Sequence, residues 1–204
     1  MVSMTEGCGR LTVLVAGMPR SGSTWLFNAA RLLLAATGRP VHAAWVADRD
    51  PDDPAPMHLV KVHTPEEAAF PHDLVLTTRR PIDECLASLI RMGWLKPDAE
   101  AIRTNHRIQT SLYDHWAARS TLETTYDDIL HRPEAAVARI AEALGLAPDA
   151  ARDARLAADL AALRAPESGR YDPETLLHPR HRGSDDGTPE ADTVALVRAA
   201  LAEM

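Results

Sequence analysis

Five short apolar runs punctuate the chain, and three of them end on residues with chemical potential. Leu11-Thr-Val-Leu-Val-Ala16 is almost continuously apolar and stops at Gly17, as a strand buried on both faces should. Val41 to Val46 predicts a second strand, and His58-Leu-Val-Lys-Val-His63 alternates with strand periodicity. Asp73-Leu-Val-Leu-Thr-Thr78 is a further strand that runs into Arg79-Arg80-Pro81, and Leu122 to Tyr126 predicts a short last one. Between these runs the spacing changes to that of helices. A helix is expected from Ser23 to Ala36, with Leu26, Ala30 and Leu33 on one side and Gly38-Arg39-Pro40 as its stop. A second follows from Pro81 to Met92, with Pro81 at its first helical position and Asp83 in its first turn. A long helix from Pro97 to Arg119 carries Ile108, Leu112 and Trp116 as its apolar seam. Pro133 to Leu144 is amphipathic through Val137, Ile140 and Leu144, and further helices are expected over Pro148 to Leu163 and Ala191 to Ala202.

Strands alternating with helices predict an α/β fold of three layers, with a mainly parallel central sheet flanked by helices. The 204 residues fit one domain, 1–204, in which the aperiodic stretch 166–192 is a long loop or lid. Hydrophobic content of 46% and charged content of 25% are those of a soluble globular chain. Aromatics make up only 4%, so the core must be built from aliphatic side chains. A net charge of −7 argues against a general nucleic-acid or acidic-membrane binder, so any anionic ligand needs locally gathered positive charge. Cys8 and Cys85 make no disulfide framework and read as reduced thiols of a cytoplasmic protein. No run approaches the ~20 apolar residues of a membrane span. Leu11 to Ala16 is not expected to be a signal-peptide core, because a basic region before it and a small-residue cleavage site after it are both missing.

Gly17-Met-Pro-Arg-Ser-Gly22-Ser23-Thr24 has the frame of a Walker A loop, after a buried strand and before a helix. Such a loop turns successive backbone N–H groups inward and adds the positive end of the helix, which makes a phosphate cradle. The position that should be lysine is Ser23, and the cation stands earlier, at Arg20. Kinases and NTPases use that lysine on the β- and γ-phosphates. A ligand with one phosphate and a second anionic group therefore fits better than a triphosphate. Ser21, Ser23 and Thr24 are candidate hydroxyl donors to it.

Pro19-Arg20-Ser21-Gly22-Ser23-Thr24-Trp25-Leu26 resembles the 5′-phosphosulfate loop of sulfotransferases that use 3′-phosphoadenosine 5′-phosphosulfate (PAPS). The resemblance implies that Trp25 stacks on adenine. Arg80-Pro-Ile-Asp-Glu-Cys-Leu-Ala-Ser88 resembles that family's 3′-phosphate segment, in which a strand-end arginine and a serine eight residues on hold the phosphate. Lys61-Val-His63 resembles its lysine-x-histidine strand end, where histidine is the catalytic base. Tyr126-Asp-Asp-Ile-Leu resembles the stretch whose tyrosine approaches the adenine, although a core tyrosine would read the same way. His181-Arg182-Gly183 stands where the family has an Arg-Lys-Gly segment; Arg182 and Gly183 fit its chemistry, and Arg180 fits as well as Arg182. The resemblance covers residues 11–183 and suggests a small bacterial-type member, shortened between Leu95 and Thr121.

The function so implied is transfer of a sulfuryl group from PAPS to a hydroxyl or amine of a small-molecule acceptor, leaving 3′-phosphoadenosine 5′-phosphate (PAP). His63 is the expected base, with Lys61 and Arg20 stabilising charge. Arg20, Lys61, Arg79, Arg80 and Arg182 are expected to form a positive pocket, and no metal is required. His178-x-x-His181 lacks the cysteine or carboxylate partners of a metal site. A P-loop kinase-like phosphotransferase and a non-catalytic PAP-binding protein are the alternatives. His106, Gln109, Tyr113 and Asp114 are candidates to line the acceptor pocket, or equally to form a solvated face. The sequence leaves the acceptor unnamed and is compatible with a homo-oligomer.

Overall fold

The structure is a computed structural model in which residues 10–181 and 191–203 are described. Strands β1 (Leu11–Ala16), β2 (Val41–Trp45), β3 (Met57–Lys61), β4 (Leu74–Arg79) and β5 (Leu122–Thr125) form one sheet in the order β2-β3-β1-β4-β5. Every pairing in it is parallel. The helices are α1 (Ser23–Ala35), α2 (Ile82–Arg91), α3 (Ala99–Ala117), α4 (Tyr126–His131), α5 (Pro133–Ala143), α6 (Ala150–Ala162) and α7 (Ala191–Leu201). The result is the three-layer α/β architecture expected from the alternation of strands and helices. Among the described residues no helix is long and apolar enough to cross a membrane.

The nearly continuous apolar character of β1 follows from burial on both faces. Val13 and Val15 pack against residues of α1, α5 and α6, such as Leu26, Ile140 and Leu156. Leu14 and Ala16 point the other way, into a cluster closed by Trp116 of α3. A strand covered on both sides has no solvent face for polar residues. The chain lays β2 and β3 on one side of β1 and β4 and β5 on the other, so the order reverses at β1. In open parallel sheets the crevice beyond the carboxyl ends at such a reversal is where ligands bind.

Three local expectations need correction. The seam of α3 is Ile102, Gln109 and Trp116, all buried, whereas Ile108 is 50% exposed. The buried positions recur every seven residues, one step off the expected stripe, because the helix also faces a cavity. Pro81 stands outside α2, with an extended ψ of 130°, and its carbonyl accepts from Glu84 and Cys85 N–H. Tyr126 opens α4 instead of ending β5. Thr125 caps that helix: its hydroxyl donates to Asp128 Oδ2 at 2.7 Å and accepts from the Asp128 N–H at 3.1 Å. The stretch expected as a long loop or lid is packed onto α1 over its described part. Asp172 accepts from the backbone N–H groups of Glu174 and Thr175, Asn28 donates to the Thr175 carbonyl at 2.7 Å, and Arg31 pairs with Glu174. Leu176 is thereby inserted into the core, 6% exposed.

The turn between β1 and α1 depends on glycine at both ends. Gly17 has φ 152°, and a Cβ there would lie 3.2 Å from Thr78 Oγ1. Gly22 has φ 102°, and its Cβ would sit 2.8 Å from Ile129 Cδ1 and 3.1 Å from the Tyr126 ring. Gly22→Ala therefore combines backbone strain with a collision against α4. We expect it to lower unfolding free energy by roughly 1–3 kcal/mol, measured by urea denaturation. An unchanged midpoint would show that the turn tolerates a side chain.

Candidate active site

The turn after β1 has the elements of an anion cradle. Gly22 caps α1 in the left-handed region without a side-chain bond, and no acidic residue occupies the first turn. The first-turn amides and the positive end of the helix macrodipole thus meet at Ser23, Thr24 and Trp25. Arg20 is held at φ 71°, a left-handed conformation uncommon for a non-glycine residue. Ser21 is turned away from the expected role. Its hydroxyl is fully buried, bonded to the Met18 carbonyl and to Thr78 Oγ1, both at 2.6 Å. It fixes the shape of the loop and is not presented to a ligand.

Lys61 ends β3, and His63 stands two residues beyond it. His63 Nδ1 lies 2.8 Å from the Gly17 carbonyl, which can only accept, so Nδ1 carries the proton and Nε2 the lone pair. The main chain here is clamped from two sides. Trp116 Nε1 donates to the His63 carbonyl at 2.8 Å, and Glu67 accepts from the His63 N–H at 2.7 Å. Burial, then the neighbouring Lys61, holds the imidazole neutral by pushing its pKa down to about 3. Lys61 donates to Thr24 Oγ1 at 2.8 Å. Burial, then Arg20, lowers its pKa to about 7. Trp45 flanks both, its ring 5.3 Å from that of His63 and 6.0 Å from Lys61 Nζ.

Arginines gather beyond β4 and α2. Arg20 Nε donates to Ser88 Oγ at 3.0 Å, and Arg91 of α2 reaches the same oxygen at 3.4 Å. Burial, then Arg91, lowers the Arg20 pKa to about 10. Arg80, 4% exposed, pairs with Glu84 at 3.0 Å and lies 4.0 Å over the Tyr126 ring. The two segments expected to hold opposite ends of a donor are therefore in direct contact, through Arg20 on Ser88 and through Arg80 Nη1 on the Arg20 carbonyl at 3.4 Å. Arg79 does not join them. It is exposed and stacks over Tyr113 at 5.6 Å, on the opposite side of the strand end.

These groups surround one cavity of about 760 Å³. Arg20, Gly22, Ser23, Thr24, Trp25, Lys61, His63, Arg80 and Tyr126 all line it; Ser21 and Ser88 do not. Arg182 and Gly183 lie outside the described residues, while Arg180 donates to the Met92 carbonyl at 3.3 Å, near the end of α2. Of the four candidates on α3 only Gln109 lines the cavity. Trp45, Trp94, Asn28, Tyr171 and Arg91 went unread in the sequence. Trp45 stands beside Lys61 in the parallel register of β2 and β3. Cys85 is no nucleophile, because burial raises its thiol to about 12. Among the described residues no cluster of His, Cys, Asp or Glu could hold a metal ion, and His178 packs against Tyr171 and Trp94.

No protein-family model and no curated protein matches the chain. Solved structures do. The chain has the fold of retinol dehydratase. The complex of that enzyme with androsterone and the inactive cofactor PAP aligns with a TM-score of 0.51 and 17% identity, over 73% of this chain and 64% of that one. The complex with retinol and PAP aligns with a TM-score of 0.51 and 16% identity, over 76% and 65%. This chain thus spans a little under two thirds of the length of retinol dehydratase, and at this identity what is shared is the fold.

The buried lysine makes stability depend on pH. Lys61 loses its proton near pH 7 when folded but only near 10.5 in the unfolded chain. Between those values the unfolded state binds more protons, so this residue makes the protein more stable as pH rises and costs most below about pH 7. Lys61→Met is expected to raise the Tm at about pH 6 and to lose that advantage by about pH 10. A difference independent of pH in paired thermal melts would contradict a buried, depressed lysine.

Proposed function

We propose that the chain is a sulfotransferase, moving a sulfuryl group from PAPS to a hydroxyl or amine of an acceptor, with His63 as general base. The observation that carries this reading is the tautomer of His63. A histidine fixed by Nδ1–H on the Gly17 carbonyl, kept neutral by burial and lining the cavity, keeps its Nε2 lone pair for an acceptor proton. The PAP bound by retinol dehydratase, with which the fold is shared, supports the same reading.

The donor set suits PAPS, which when bound supplies an activated sulfuryl group. The α1 amides with Ser23 and Thr24 offer a cradle for the 5′-phosphosulfate end. Trp25 offers an aromatic face to the adenine. Arg20 and Arg80, with Ser88 behind Arg20, offer charge to the 3′-phosphate. In the transfer, the acceptor oxygen or nitrogen bonds to sulfur and the bond from sulfur to the 5′-phosphate oxygen breaks. The acceptor's proton passes to His63 Nε2. Lys61, bridged to the cradle through Thr24, faces the charge that develops on the departing oxygen. The anionic donor restores the proton that burial loosens on Lys61.

PAP should raise the Tm by several degrees and Mg-ATP should not, because no lysine occupies the Walker position. His63→Ala should cut turnover of PAPS with an accepted acceptor by on the order of a hundred- to ten-thousand-fold, with PAP affinity nearly unchanged. Turnover that survives the substitution removes His63 as base. PAP binding with no PAP release from PAPS, across a broad hydroxyl and amine panel, favours a binding protein instead.

A further inference from the structure

β3 carries the base past the edge of the sheet. The Val62 N–H still donates to the Val15 carbonyl at 3.0 Å. One residue later there is no strand on either side. Lys61 stands beside Val15 of β1 and Trp45 of β2, so the same register would put Gly17 and Ala47 beside His63. β1 has ended at Ala16 and turned at Gly17, and β2 has ended at Trp45 and passed into a 3-10 turn over Val46–Asp48. The N–H and carbonyl of His63 therefore need partners other than a strand ladder.

Side chains supply them. Glu67 Oε2 accepts from the His63 N–H at 2.7 Å and from the Thr64 N–H at 3.0 Å. Trp116 Nε1 donates to the His63 carbonyl at 2.8 Å. Glu67 belongs to the short turn Glu66–Ala68 that follows the base. Trp116 comes from α3 and is locked in the core, 2% exposed, with Leu14, Ala16 and Val62. Neither residue lines the cavity. The imidazole itself is fixed by Nδ1–H on the Gly17 carbonyl at 2.8 Å. That bond selects the tautomer, and it lasts only while the His63 main chain keeps its distance from Gly17.

We propose that Glu67 and Trp116 are positioning residues for the base, standing in for the two missing strand neighbours and so keeping the His63 Nε2 lone pair available to the cavity. The effect on rate rests on the sulfuryl-transfer reading. Neither residue touches substrate; each acts through the His63 main chain. A displacement of about 1 Å at a reacting group is enough to cost on the order of a hundredfold in rate.

The test pairs kinetics with the protonation pattern of the ring. With PAPS and an accepted acceptor, Glu67→Ala and Trp116→Phe should each lower kcat by roughly ten- to a hundredfold, with KM for PAPS and PAP affinity nearly unchanged. Glu67→Gln keeps an acceptor oxygen at the same reach and should restore most of the lost rate. Rates are compared well below the Tm of each variant. A glutamate that only capped its turn, or an indole that only filled the core, would change stability and leave kcat alone. Long-range proton–nitrogen correlation spectra of protein carrying isotope-labelled histidine read the tautomer without any turnover, with the His63 signals assigned by their loss in His63→Ala. The wild type should show a protonated Nδ1 and a bare Nε2. Glu67→Ala and Trp116→Phe should show mixed tautomers, and Glu67→Gln the wild-type pattern. An unchanged kcat, or an unmixed tautomer, in either variant overturns the assignment of that residue and leaves sulfuryl transfer standing. A glutamine variant as slow as the alanine one overturns the positioning role of Glu67. Mixed tautomers in the variants, with no sulfated product from the wild type across a hydroxyl and amine panel, overturn sulfuryl transfer and keep the positioning. Glu67→Asp, one methylene too short to reach both N–H groups, replaces the alanine variant if that one folds poorly.

Discussion

The site is governed by one constraint: positive charge is gathered where water is scarce. Lys61 and Arg20 lie near enough for each to depress the proton affinity of its neighbours, and burial depresses it further. In a chain of net charge −7 that concentration cannot come from composition. It comes from the sheet. β1, β3 and β4 end side by side, and their last residues lead directly into the Gly17 turn, into Lys61 and His63, and into Arg80. Like charges in a low-dielectric site repel, so each must be held by something rigid. Arg80 is held by Glu84 and the face of Tyr126, Arg20 by Ser88, and Lys61 by Thr24. A dianionic or polyanionic ligand is what such a cluster favours energetically.

His63 depends on the same arrangement for a different reason. Burial first, then the neighbouring Lys61, keeps its imidazole neutral. Its orientation comes from the Gly17 carbonyl and the Trp45 ring at the imidazole, and from the Trp116 and Glu67 side chains at the main chain. Gly17 thus serves both halves of the site. Its conformation starts the anion cradle, and its carbonyl selects the tautomer that leaves Nε2 available.

Much of this was legible in the sequence because parallel sheets leave strong signatures. Apolar runs ending at Gly17, His63 and Arg80 marked three strand ends, and ligand sites lie beyond strand ends. The roles of individual hydroxyls were not legible. Ser21, Ser23 and Thr24 look alike in a motif, yet backbone φ values send Ser21 inward to Thr78 and leave Thr24 to Lys61. Arg79 and Arg80 are adjacent in sequence, and the alternation of the extended chain puts them on opposite sides. The docking of residues 171–177 was unreadable for another reason. It rests on Asn28 and Arg31 of α1, contacts between residues about 145 positions apart that leave no periodic trace.

The periodicity of α3 was misread for a reason that bears on function. A helix between a core and a cavity carries two apolar stripes, and the more apolar one need not face the core. Ile108 and Leu112 gave the stronger pattern and belong to the cavity; Ile102, Gln109 and Trp116 are the buried spine. A polar residue in the middle of that spine weakens the core stripe as a signal and as a source of stability. Local rules that fail in this way tend to fail at functional sites. Trp116 ties the His63 carbonyl to α3, and Gln109 sits two turns away on the same helix, so one element carries both the His63 anchor and a wall of the cavity.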